Sequence, residues 1–161
     1  MASLGNVCCI FCWFYLINDT TTENDIVTIS VLSFDLGATS AYFCNTINAG
    51  EEFKIKGLVG LEKKVKELIL KFKPEVILYP TPTRFYNCMR LHFQYIGIIN
   101  MLAEKYDIQT VEVIDSRAKK VVLGNGKAKK EEIMKFYNEA SEHCADARMF
   151  NDWYISSVFY D

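Results

Sequence analysis

The chain has 161 residues, of which half are hydrophobic and 14% aromatic, and it carries a net charge of −2. That length suits one domain with its own core, and the apolar content excludes a disordered tail. No apolar run approaches the ~20 residues of a membrane helix. The charge excludes a globally basic protein but leaves room for a local basic patch on a nucleic-acid enzyme.

An apolar block, VCCIFCWFYLI at 7–17, is followed by a polar linker at 18–25. No basic residue precedes the block and no small-residue cleavage site follows it, so it does not read as a secretion signal. It reads as an extra edge strand or packing arm, a membrane or partner contact, or an upstream extension. Residues 1–25 are thus set apart from a domain at 26–161. The six cysteines (8, 9, 12, 44, 88 and 144) lack the paired spacing of a zinc site and are expected to be reduced.

VTISVLSF at 27–34 predicts a buried strand ending at Asp35, and 41–47 a second strand. After a turn at 48–50, EEFKIK alternates as a third, which makes an antiparallel meander. Apolar residues at 58, 61, 65, 68, 69 and 72 predict a helix over 58–73 with a lysine-rich exterior, stopped by Pro74. VILY at 76–79 predicts a strand that Pro80 and Pro82 end. A helix over 84–105, a strand over 109–114, a basic loop, and helices over 129–140 and 142–158 complete the order. The expected fold is an α/β domain with a mixed five-stranded sheet, three antiparallel strands then parallel additions, flanked by helices.

Asp35 ends a buried run, where a carboxylate is costly unless it is paired or binds a cation; as an ordinary residue it would cap a turn. Glu142 and Asp146 share a helix face, with His143 close by, and their mutual repulsion is one a cation would relieve. The plain alternative is an acidic helix start favoured by the dipole. Residues 117–135 hold seven basic residues against two acidic ones, a net +5, and include Gly124 and Gly126. Such a segment is a solvated exterior or a phosphate contact. Arg84, Phe85, Tyr86 and Arg90 follow a strand end, where ligands of α/β sheets often sit. His92 reads as a helix-surface or core residue.

From about Ile29 to Ser157 the chain resembles the RuvC-type Holliday-junction resolvases, in particular their phage and viral branch. SFDLGATSAYF is similar to the first-strand motif, PEVILYPTP to the fourth strand and its ending, and FQYIGIINMLAEKY to the helix after it. VIDSRAKKVVLGNGKAKKEEIM is similar to the DNA-contacting segment, and SEHCADA to the closing helix motif. The resemblance implies a ribonuclease H-like fold and a homodimer that cuts four-way DNA junctions with two Mg²⁺ ions, Mn²⁺ substituting. With no targeting signal in the sequence, a cytoplasmic setting is expected, nucleoid- or viral-replication-associated, without a membrane and not secreted.

On this resemblance Asp35, Asp146 and Glu142 are the expected metal ligands, and His143 joins them as a catalytic residue. Arg84, Arg117, Lys119, Lys120, Lys127, Lys129 and Lys130 are the expected DNA contacts. One position departs from the pattern: Pro80 stands where the second catalytic Glu is expected, and Asp115, at the next strand end, is its nearest replacement. The alternative function is therefore a junction-binding protein that has lost its chemistry. A further alternative, a phosphate-binding turn at Asp35–Ser40 like that of actin-like ATPases, needs a second domain for which the chain is too short.

Overall fold

This computed structural model describes residues 29–82 and 86–160. The expected arm at 1–25, the expected domain start at Ile26 and the candidate DNA contact Arg84 lie outside the described residues. The chain runs β1 (Val31–Asp35), β2 (Thr39–Cys44), β3 (Ala49–Lys54), α1 (Gly57–Phe72), β4 (Val76–Pro80) and α2 (Tyr86–Lys105). It continues with β5 (Gln109–Val113), α3 (Asp115–Leu123), α4 (Lys130–Tyr137) and α5 (Glu142–Tyr160). The strands form one mixed sheet in the order β3-β2-β1-β4-β5, antiparallel from β3 to β1 and parallel from β1 to β5. This is the expected architecture.

β1 and β4 are buried along their length because helices cover both sheet faces. On one face Leu32, Phe34, Ile77 and Tyr79 pack against Leu61, Val65 and Leu68 of α1 and Tyr95, Ile99 and Leu102 of α2. On the other, Val31, Val76, Leu78 and Val113 pack against Ala118 of α3, Ile133 of α4, and Met149 and Phe150 of α5. Two buried polar groups fix α5 to β1. Ser33 donates its hydroxyl to the carbonyl of Ala147 at 2.6 Å, and Asn151 Nδ2 donates to the carbonyl of Val31 at 3.1 Å.

The structure departs from expectation in four places. The second strand stops at Cys44 and gives way to a 3₁₀ turn over Asn45–Ile47. Asn45 turns its amide back on β1, accepting from Val31 N–H at 2.8 Å and donating to Ile29 O at 2.7 Å. β4 extends through Pro80, which pairs with Val113. The next N–H, of Thr81, bonds Val113 O at 2.8 Å, so the donor that proline lacks points toward β1, whose ladder with β4 ends at Ser33–Leu78.

The expected basic loop after β5 is mostly helix. Ala118 is buried, and Val122 and Leu123 pack beside the core of this face, giving α3 an apolar side that its lysines conceal in the sequence. Lys119 pairs with Asp115 one turn earlier at 2.8 Å, and Gly124, at φ 75°, ends the helix. Gly126 has a packing role: a Cβ there would meet the carbonyl oxygen of Ser116 at 2.8 Å. The glycine pair thus shapes the return from α3 to α4. α4 is also shorter than expected, closed by Asn138 at φ 52°.

Candidate active site

The C-terminal edges of β1 and β4, the start of α3 and the first two turns of α5 meet at one end of the sheet. Asp35 closes β1 there, and its Oδ2 lies 2.7 Å from Nδ1 of His143 on α5. A carboxylate only accepts, so Nδ1–H donates; in the neutral ring, this tautomer leaves the Nε2 lone pair to face away from Asp35. That Nε2 is 3.6 Å from Glu142 Oε1. Glu142 in turn accepts from Lys130 Nζ at 2.7 Å.

Asp146 lies one turn further along α5. Its Oδ1 is buried with no hydrogen-bond partner among the described residues. Burial, and then repulsion from Asp35 and Asp115, push its carboxyl up to about 7, against the pull of Lys119 and Lys130. Burial likewise raises Asp35, opposed first by its bond to His143. The Lys130 ammonium holds Glu142 below its usual range, and Glu142 raises Lys130 in return.

The structure therefore brings Asp35, Glu142, His143 and Asp146 to one edge, together with Lys130, Asp115 and Lys119. Lys119 is only 16% exposed at its side chain and bonds Asp115, so it faces this edge and not open solvent. Arg117, Lys120, Lys127 and Lys129 are exposed beside it on α3 and the loop that follows.

Continuing the β1–β4 register two residues beyond Ser33–Leu78 sets Pro80 beside Asp35. The Pro80 side chain offers no polar atom at that point. His92, read from sequence as a surface or core residue, sits half-buried on α2, and its Nε2 is buried without a partner. Only its helical stripe with Tyr95 and Ile99 signalled this, and that stripe shows burial alone.

No three His, Cys, Asp or Glu side chains among the described residues converge closely enough to hold an ion as they stand. The donors nevertheless suit a divalent cation in kind: an orphaned buried carboxylate oxygen, a second desolvated carboxylate that repels it, and an imidazole beside it.

No family model matches the chain, and no curated protein sequence does. Solved structures do match. Thermus thermophilus RuvC in complex with a Holliday junction superposes at a TM-score of 0.63 and 16% identity, over 81% of this chain and 97% of that one. The fold is that of the RuvC resolvases. The fowlpox virus Holliday junction resolvase shares it at a TM-score of 0.52 and 15% identity, over 81% of this chain and 99% of that one. The RuvC fold, a ribonuclease H-like α/β sheet, accounts for the strand order and the two helical layers. None of the described helices is long and apolar enough to cross a membrane.

Proposed function

We propose that the protein is a metal-dependent, structure-selective endonuclease that resolves four-way DNA junctions. The observation that carries this reading is the meeting of Asp35, His143 and the orphaned Asp146 at one sheet edge of a RuvC fold. Asp35, Asp146 and Glu142 would hold Mg²⁺ or Mn²⁺. When bound, the ions supply an activated water and stabilise the leaving 3′ oxygen.

The chain's own groups do the rest. The Asp35–His143 bond orients the imidazole and fixes its tautomer. Lys130 is placed to release Glu142 toward a cation or to neutralise it in the absence of one. Arg117, Lys120, Lys127 and Lys129 offer phosphate contacts whose strength falls with salt. A homodimer would present two such sites to the two-fold symmetric junction.

The test is a labelled four-way junction with the full chain in Mg²⁺, Mn²⁺ or chelator. Paired nicks that need metal, lost in Asp35→Asn and in Asp146→Asn, are the expected result. Cutting that survives both substitutions sinks the proposal.

One observation favours a second reading, a junction-binding protein without hydrolysis: the β1–β4 register, continued two residues past Ser33–Leu78, sets Asp35 beside Pro80, whose side chain carries no oxygen. That protein would shift the junction in a salt-sensitive manner and leave it intact in every metal.

A further inference from the structure

α1 and α2 are each followed by a left-handed residue, Lys73 at φ 48° and Asp107 at φ 55°, that turns the chain into β4 and β5. The two returns leave a cleft of about 290 Å³ lined by Ile69, Leu70, Lys73, Pro74, Tyr106 and Ile108. Ile69 is buried, whereas Leu70 is 55% exposed. Ligand pockets run to about 300–1,000 Å³, so a cleft of this size suits one or two large side chains. Pro74 precedes β4 and Ile108 precedes β5, which puts the cleft at the end of the sheet away from Asp35.

The described chain enters at this same end. Ser30 O accepts from Glu75 N–H at 2.8 Å, and Glu75 O accepts from Gln109 N–H at 3.1 Å. Pro74 and Ile108 stand just before those two partners, so the cleft lies about 10 Å, two strand spacings, from the start of β1. Upstream of that start is the uncharged block VCCIFCWFYLI at 7–17, with four aromatic side chains. Water drives such a block onto an apolar surface. The chain from Ile17 to Ile29 spans at most about 40 Å, well beyond what the cleft requires. A tether that short holds the block near the cleft at an effective concentration on the order of millimolar, ahead of a second copy in dilute solution. Lys73 is the one charged residue in the lining, and Asp19, of opposite sign, is the first charge after the block.

We propose that residues 7–17 fold back onto this cleft within the same chain and seat one or two of their aromatic side chains in it, with Asp19 beside Lys73. The arm then packs across the ends of α1 and α2 and leaves the Asp35 edge open. The inference is independent of the chemistry proposed at that edge.

The test uses the full chain and two exposed positions on α1. Leu70 lines the cleft, and Val59, 64% exposed, lies about 16 Å away along the same helix. A disulfide needs Cα atoms within about 7 Å. Under mild oxidation in dilute solution, Leu70→Cys is expected to bridge to Cys8, Cys9 or Cys12 of its own chain, and Val59→Cys to form no such bridge. Peptide mass mapping identifies the pairs. Chymotrypsin supplies the second readout, since Phe11, Trp13, Phe14 and Tyr15 are its sites within the block. Cleavage there is expected to be at least ~10-fold faster in Leu70→Glu than in wild type, with Val59→Glu like wild type.

Bridges that join only two different chains overturn the proposal in favour of a second copy as the occupant. Equal yields at positions 70 and 59, or cleavage that Leu70→Glu leaves unchanged, show that the block does not use the cleft. A block cut at once in buffer but shielded by phosphatidylcholine vesicles overturns the proposal in favour of a lipid surface. Junction nicking is scored separately and bears on none of these outcomes.

Discussion

His143 Nδ1 and Asp35 Oδ2, 108 residues apart in sequence, lie 2.7 Å apart across the junction of α5 and β1. The bond holds a carboxylate and an imidazole as one unit, so their substitutions will not add. His143→Gln should slow junction cutting about 100-fold, and the same change in an Asp35→Asn background should add far less. Single-turnover cleavage of the four proteins in a double-mutant cycle measures this, and additive losses would show that the two groups act separately.

Asp146 gives the metal-free protein a pH signature. Its carboxyl titrates at about 7 when folded, against 3.8 as the ordinary value. The folded state therefore holds the proton more tightly, and stability falls as pH rises from about 4 toward 7. In chelator, Asp146→Asn should raise Tm by about 4 °C at pH 8 and leave it unchanged at pH 4. Added Mn²⁺ should stabilise the wild type and leave the Asn variant where it was. Thermal scans at the two pH values decide the matter; a gain equal at both would be incompatible with a desolvated, ionising Asp146.

Pro80→Glu should place a carboxylate beside Asp35. Without metal the added charge in an already acidic, buried edge should lower Tm. Mg²⁺ should then raise the Tm of the variant more than that of wild type, and cutting in Mg²⁺ should increase about 10-fold. If Mg²⁺ moves both melting curves equally, position 80 does not face the site.

The lysines separate by their partners. Lys127 and Lys129 are exposed, whereas Lys119 is committed to Asp115 at 2.8 Å. Lys127→Ala and Lys129→Ala should each reduce the slope of log Kd against log salt by about 0.9, and Lys119→Ala should leave it unchanged. Fluorescence anisotropy on a junction between about 50 and 200 mM salt reads the slopes directly. Three equal effects would mean that Lys119 leaves Asp115 to meet DNA.

The sheet and α1 were legible because their signals are local. An apolar β-branched run ending at Asp35 marks a central strand, and the spacing of Leu61, Val65, Leu68 and Ile69 marks one helix face. The Asp35–Asp146 edge was legible as a pair of candidates, since a carboxylate ending a buried run and an acid one turn from another both carry a physical cost. α3 was hidden because Arg117, Lys119 and Lys120 interleave with the apolar contacts of Ala118 and Val122, although Asp115 and Lys119 were already at helical spacing. His92 was hidden for a different reason: burial of a single nitrogen is a tertiary fact, decided by how α2 packs onto the sheet. Pro80 was read as a strand terminator, and the ladder absorbs it because its missing donor faces a neighbour that has already stopped pairing.

The two polar pins between β1 and α5, from Ser33 to Ala147 and from Asn151 to Val31, also set an order in time. During synthesis Asp35 leaves the ribosome more than a hundred residues before His143 does. Until α5 docks and those pins close, the emerging chain carries half a site, with a lone carboxylate and no imidazole or second acid to work with it. On the proposed reading, a protein built this way would stay inert on nearby nucleic acid while it is being made, and would become competent only as α5 settles onto its first described strand.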